Sequence, residues 1–291
     1  MTDTDTFSAD RGLGFLAEEN GEFDLVCGGS NRDAGEHLVG SAPPVLPKEA
    51  LALVEALSPF KDQGSSSTCV SHGIANGAEA RLRVLNPNAV IPPSSVRQIY
   101  TTSNEIARAT KKSPIALDGT YPRVAMKVCA DIGVAPDTEW PFRNALGVIN
   151  NVAKEVPLDV FQRASAWKLK EQFTVYATGL QRVRTVATGL VNRIPFPCAG
   201  RVDTRFMNHT GKDVLPAPNP RQDRGGHMVC IIGFRTAANG RLEFLIVNSW
   251  DVWGFGPEIG FKGRSLAWVS EGWVMALQEI YGFTLASRAN I

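Results

Sequence analysis

The chain reads as an α+β protein of two unlike lobes, one helical and one built on an antiparallel sheet, with a cleft between them. Three observations give that reading. Residues 69–132 carry apolar side chains at helical spacing, while the stretch beyond about residue 225 breaks into short apolar runs divided by turn residues. Asn239-Gly240, between two of those runs, is a strong hairpin signal. Chemically suggestive side chains fall in both halves, so they meet only if the halves face one another, and a cleft of that kind suits an extended chain as substrate.

The elements follow in order. Residues 1–45 are rich in Gly, Asp, Glu and Asn without a sustained period, and read as an N-terminal extension lying partly extended on the surface. The run SAPPVLP (41–47) marks a boundary, because its prolines favour extended backbone. A single domain then covers residues 46–291, with a helical lobe over roughly 60–150 and a sheet lobe over roughly 151–280. In the first lobe Val70, Ile74, Ala78, Leu82 and Leu85 set a helix over Cys69–Leu85. Ser94 to Ala107 and Thr120 to Ile132 repeat the pattern, and Gly133 is the stop of the latter. A helix is expected around Leu180 to Val191. Strands are expected at MVCIIGF (228–234), LEFLIVN (242–248) and GWVMAL (272–277). Pro195 to Arg224 reads as an irregular insertion, and there is no internal repeat.

Composition narrows the function. At 291 residues the chain can bury a sizeable core, and 44% hydrophobic with 20% charged residues is ordinary for a folded protein. A net charge of +1 gives no electrostatic ground for binding nucleic acid or an anionic membrane. The start, MTDTDTFSADRGLGF, is acidic and polar where a signal peptide needs a basic start and an apolar run. No stretch approaches the roughly 20 apolar residues of a membrane span, so a cytoplasmic protein is expected. Cys27, Cys69, Cys129, Cys198 and Cys230 are odd in number and show no paired framework, which favours free thiols. A zinc site from Cys198, His209, His227 and Cys230 lacks any CxxC or HxxxH anchor, so neither metal nor cofactor is expected.

Four residues in sequence order make up a set of parts for acyl transfer. Cys69 follows a Gly-Ser-Ser-Ser-Thr loop and opens the first long helix, where the helix end favours a thiolate. Gln63, six positions earlier, has a side-chain amide that can join the Cys69 backbone N–H in holding an oxyanion. His227 follows two glycines, of which Gly226 leaves room for a substrate backbone, and it opens an apolar strand. Asn248 ends the next strand, so the hairpin brings it beside His227, where its carbonyl fixes the ring tautomer. Trp250 covers that bond in this reading. Each residue has a plain alternative: a packed thiol, a surface turn, a structural histidine, a core tryptophan.

The fragments Gln63-Gly64 before Cys69, Gly226-His227, Asn248-Ser249-Trp250 and Trp253-Gly254 resemble those of papain-like cysteine peptidases, the C1 family. LPKEALALVEALSPFKDQG and DGTYPRVAMKVCADIGVAPDTEWPF (118–142) are similar to the family's run into the nucleophile and to the close of its helical lobe, notably in bacterial and viral members. The resemblance covers about residues 46 to 262, with 150 to 220 poorly matched. It implies a helical left lobe, a right lobe on a twisted antiparallel sheet, and a polypeptide substrate. It also implies Cys69 as nucleophile, His227 as base and then acid, Asn248 as its orienter, and Gln63 in the oxyanion hole. Gly226, Trp250 and Trp253 fall at the substrate side.

Departures accompany the likeness. Ser66 stands where secreted members carry a lobe-disulfide cysteine, Val70 follows the nucleophile in place of a large group, and Asp251 replaces the Gly of Asn-Ser-Trp-Gly. His72 stands where an aromatic is common and reads as a packed core residue, with tuning of the site as the lesser alternative. His227 comes 158 positions after Cys69, an interval lengthened by the 195–224 stretch. The extension lacks the helical pattern of long inhibitory propeptides, although it is long enough to cover the cleft and to bring Cys27 near it. These departures keep one rival open, an inert papain-like binding or structural module within a phage or bacterial assembly, including a virion or injected component; a third reading, ranked last, is acyl transfer to an amine. The latter commonly uses Asp where Asn248 stands.

Overall fold

The structure is a computed structural model that describes residues 13, 25–27, 39–40, 43, 45–57, 61–111, 119–152, 154–165, 167–251, 253–255 and 265–285. Its strands are β1 (Leu25–Cys27), β2 (Glu49–Ala50), β3 (Leu169–Val175), β4 (Phe196–Asp203), β5 (Asp223–Thr236), β6 (Leu242–Val247), β7 (Leu266–Ser270) and β8 (Glu279–Leu285). Its helices are α1 (Ala52–Glu55), α2 (Cys69–Leu85), α3 (Val96–Lys111), α4 (Pro122–Asp131), α5 (Leu158–Ala164), α6 (Gly179–Val191), α7 (Thr204–Met207) and α8 (Glu271–Met275).

The helices of the first lobe form where the sequence spacing places them. Pro122 opens α4 at a position where its missing N–H costs nothing. Gly133 follows α4 at φ +109, and a Cβ there would meet the Ala164 carbonyl oxygen at 2.0 Å, so only glycine turns this corner. The sheet runs β1-β3-β8-β4-β5-β6-β7, with β2 pairing β5 off this path. All its pairings are antiparallel except β1 on β3. This is the two-lobe α+β arrangement the sequence implies.

Two apolar clusters organise the core. One joins α6 to the sheet and includes Val186, Phe196, Phe206, Phe234, Phe244, Trp250, Trp253 and Trp273. The other lies between the lobes and joins Cys69, Val70 and Ile74 of α2 to Ala199, Met228 and Phe283 of the sheet. Two glycines let α2 lie directly on β5. A Cβ at Gly73 would stand 3.2 Å from the Val229 carbonyl oxygen, and one at Gly77 would stand 3.0 Å from Cys230 Sγ. The nucleophile candidate thus rides on a helix seated against the strand that carries the histidine.

Several sequence expectations need correction. GWVMAL is not a strand: α8 starts at Glu271, capped by Ser270, whose Oγ accepts from Trp273 N at 3.3 Å. Residues 195–224 are not irregular, for they hold the whole of β4 and then α7, capped by Asp203, whose Oδ1 accepts from Phe206 N at 3.0 Å. The strand carrying His227 begins at Asp223, ahead of the expected 228. β3, β7, β8 and α5 were not anticipated. The Cys27 backbone lies in β1 at the sheet edge, with three strands between it and β5, and so away from His227.

Candidate active site

Cys69 is the first residue of α2. Gly77 faces Cys230, and Gly73, four residues back, faces Met228 and Val229. Four helical residues rise about 6 Å and two strand residues about 6.6 Å, so each step of four on α2 matches about two on β5. One more such step carries Cys69 to the level of Gly226 and His227. The two halves of the sequence therefore converge at that point.

The histidine is fixed in orientation and tautomer. His227 Nε2 lies 2.7 Å from Asn248 Oδ1. The same oxygen accepts the backbone N–H of Ser249 at 2.8 Å, which identifies it as the carbonyl end of the Asn248 amide. Nε2 must therefore be the donor, and the lone pair of neutral His227 sits on Nδ1. Trp250 stacks on the imidazole with centroids 4.3 Å apart and planes 24° apart, and Phe206 meets it edge-on at 5.7 Å. Trp250 and Trp253 are each 1% exposed, so their contribution passes through the packing around His227 and Phe206. Trp253 donates from Nε1 to the Phe206 carbonyl at 2.6 Å.

Gln63 bridges the lobes. Its backbone N donates to the Ser249 carbonyl at 2.9 Å, and its Oε1 accepts from Ser249 Oγ at 2.6 Å. Its Nε2 donates to the Ser66 carbonyl at 2.7 Å, which uses one of two hydrogens. The donor end of this amide is thus aimed by two serines. Ser249 was visible in the sequence only as part of a motif, and its bond to Gln63 was not foreseen. Phe206 was missed because its stretch looked irregular.

The surroundings are mostly closed. Gln63, Cys69, His227 and Asn248 are all 2% exposed or less. Gly226 is buried beside them, and Leu13, from the N-terminal stretch, lies against Gly225, two residues before His227. Asp251 does not adopt the positive φ that would require glycine, and its N–H reaches Asp62 Oδ1 at 3.3 Å, so the turn accommodates this departure. His72, one turn after Cys69, is fully buried. Burial brings its pKa down to about 3, against a hydrogen bond to the Thr68 carbonyl, with the nearby charges of Lys61, Arg143 and His227 lowering it further. Burial also pushes the thiols of Cys129, Cys198 and Cys230 up, which leaves them poor nucleophiles. Among the described residues no group of three His, Cys, Asp or Glu side chains is placed to hold a metal ion. No helix among them is long and apolar enough to cross a membrane.

No protein-family model matches the chain, and no curated protein sequence matches it. Solved structures do. Xylellain, a cysteine protease from Xylella fastidiosa, superposes with a TM-score of 0.69 at 18% identity, over 96% of this chain and 98% of that one. ProCathepsin B S9 from Trypanosoma congolense gives 0.67 at 14% identity, over 97% and 89%. The bromelain protease from Ananas comosus, in complex with the E64 inhibitor, gives 0.60 at 15% identity, over 82% and 100%. At these identities the likeness is one of fold, and the chain has the papain-like fold.

Proposed function

We propose that this chain is a thiol peptidase that cleaves peptide or isopeptide bonds of a polypeptide through a covalent acyl-enzyme. The observation that carries the reading is the tautomer of His227. Asn248 and Ser249 hold the N–H on Nε2, so the basic Nδ1 is the nitrogen left to serve a sulfur arriving from α2.

In this mechanism Nδ1 takes the Cys69 thiol proton, and the positive end of α2 stabilises the sulfur anion. The sulfur attacks the scissile carbonyl carbon, and the carbonyl π electrons move onto oxygen. That oxyanion is held by the Gln63 side-chain amide and the Cys69 backbone N–H. Collapse re-forms the carbonyl and breaks the C–N bond, and His227 gives its proton to the departing amine. Water, deprotonated by the same nitrogen, then attacks the thioester and releases the acid and the Cys69 thiol.

An epoxide inhibitor such as E-64, followed by intact-mass analysis, tests this directly. One adduct on the wild type, none on Cys69→Ala, and loss of turnover on the order of 10⁶-fold in that variant are expected. A Cys69→Ala protein that cleaves a fluorogenic peptide library at the wild-type rate removes the reading. A wild type that labels but cleaves nothing favours a docking module on the same fold.

A further inference from the structure

The loop leading into α2 has an unusual support. Its sequence, Gln63-Gly64-Ser65-Ser66-Ser67-Thr68, offers no apolar side chain to anchor it, and Gly64 adopts φ +55. Ordering such a segment costs about 1–2 kcal/mol per residue, so hydrogen bonds must hold it.

Those bonds form a directed chain. His72 Nδ1 lies 3.0 Å from the Thr68 carbonyl oxygen and 3.2 Å from Thr68 Oγ1. A carbonyl only accepts, so Nδ1 carries the proton. Thr68 Oγ1 lies 2.7 Å from Ser66 Oγ, and Ser66 Oγ donates to the Gln63 carbonyl at 2.7 Å. Ser66 spends its hydrogen on Gln63, so the Thr68 hydroxyl must donate to Ser66. The Ser66 carbonyl in turn receives Gln63 Nε2. The ring and hydroxyl donors from His72 to the Gln63 carbonyl are thus committed in one direction, and Gln63 Nε2 closes the loop back onto Ser66.

The other ring nitrogen shows what the histidine is for. His72 Nε2 is buried with no hydrogen-bond partner among the described residues, and such an atom costs about 1–3 kcal/mol. The ring packs edge-on to Phe142, with centroids 5.0 Å apart, a contact that phenylalanine would make without that cost. Among its contacts with described residues, the Nδ1 donor is what distinguishes histidine from an apolar ring at this position.

We infer that His72 is a positioning residue for the reaction centre: through Thr68 and Ser66 its Nδ1–H fixes the loop that presents both the Cys69 backbone N–H and the Gln63 amide. The inference rests on the peptidase reading for its catalytic meaning, while the relay is measurable without turnover.

Two substitutions separate this role from plain packing. His72→Phe keeps an aromatic ring and removes the donor, and His72→Asn keeps a donor near the Nδ1 position and removes bulk. The phenylalanine variant is expected to match or exceed wild-type Tm. Its Cys69 alkylation by iodoacetamide at about pH 6, and its kcat, should both fall about tenfold with KM within about twofold. The asparagine variant should melt lower yet label within about threefold of wild type. A folded phenylalanine variant with wild-type labelling overturns the inference, as does an asparagine variant that loses as much as phenylalanine. Should the phenylalanine variant fail to fold, Thr68→Val and Ser66→Ala carry the test: labelling about threefold slower supports the relay, and unchanged labelling refutes it. A ¹⁵N-edited imidazole spectrum of the wild type is independent of any peptidase activity. A neutral Nδ1–H tautomer for His72 is expected, and an Nε2–H tautomer overturns the relay. Wild-type protein that passes these tests but hydrolyses nothing defeats the peptidase reading alone.

Discussion

The two sides of the site are held by different physics. On the sheet side, His227 is sandwiched in rings and pinned by Asn248, with Trp250, Trp253 and Phe206 packed around it. On the helix side, the segment from Gln63 to Thr68 has no apolar anchor and depends on small hydroxyls and one buried imidazole. The aromatic side gets its rigidity from area removed from water, which is insensitive to protonation. The hydroxyl side gets its rigidity from directional bonds and a neutral ring, so it responds to pH and to single-atom deletions.

Acid tests that contrast most strongly. The folded pKa of His72, about 3, lies below its ordinary 6.5, so the unfolded chain binds this proton first as pH falls. The histidine therefore leaves stability intact above pH 6.5 and withdraws it progressively between 6.5 and 3, by at most about 5 kcal/mol. Urea unfolding across that range should show the decline, and His72→Phe should flatten it. An equal slope in both proteins would place the acid sensitivity elsewhere.

The aromatic side breaks by truncation instead. Trp250→Ala removes a ring that is 1% exposed and should cost about 3–5 kcal/mol, read as a lower Tm at neutral pH. Its effect should vary little with pH, the opposite of the His72 result. The smallest effect is expected at the cover. Leu13 is half-buried against Gly225, so Leu13→Asp should speed E-64 labelling of Cys69 by about threefold, through lost burial of part of one side chain, with Tm nearly unchanged. A slower rate would mean that Leu13 supports the site and does not cover it.

What could be read beforehand divides along the same line. Helix α2 was legible because its apolar spacing is helical, and His227 and Asn248 because a two-residue turn signal joins their strands. β4 was hidden by prolines: Pro197 sits in a central strand, yet the β8 ladder beside it covers only Cys198 and Ala199. Gly282 obscured β8, where a Cβ would stand 2.2 Å from the Phe173 ring, so the glycine marks a close approach and not a turn. In GWVMAL the apolar run outweighed a visible signal, the Ser270 cap followed by Glu271. The serine contacts of Gln63 were illegible in principle, because Ser249 stands 186 positions away and no local pattern announces such a pairing.

The bare backbone at Gly73 and Gly77 has a mechanical corollary. A Cβ at Gly73 would press on Met228 and the Val229 carbonyl, and one at Gly77 on Cys230 Sγ and Pro195, so the absence of both lets the helix lie this close to the strand. A single methyl introduced at Gly73 would act as a shim between them, and on the proposed peptidase reading it would lengthen the reach from sulfur to imidazole without altering either group. Reach across this centre is governed by two missing carbon atoms.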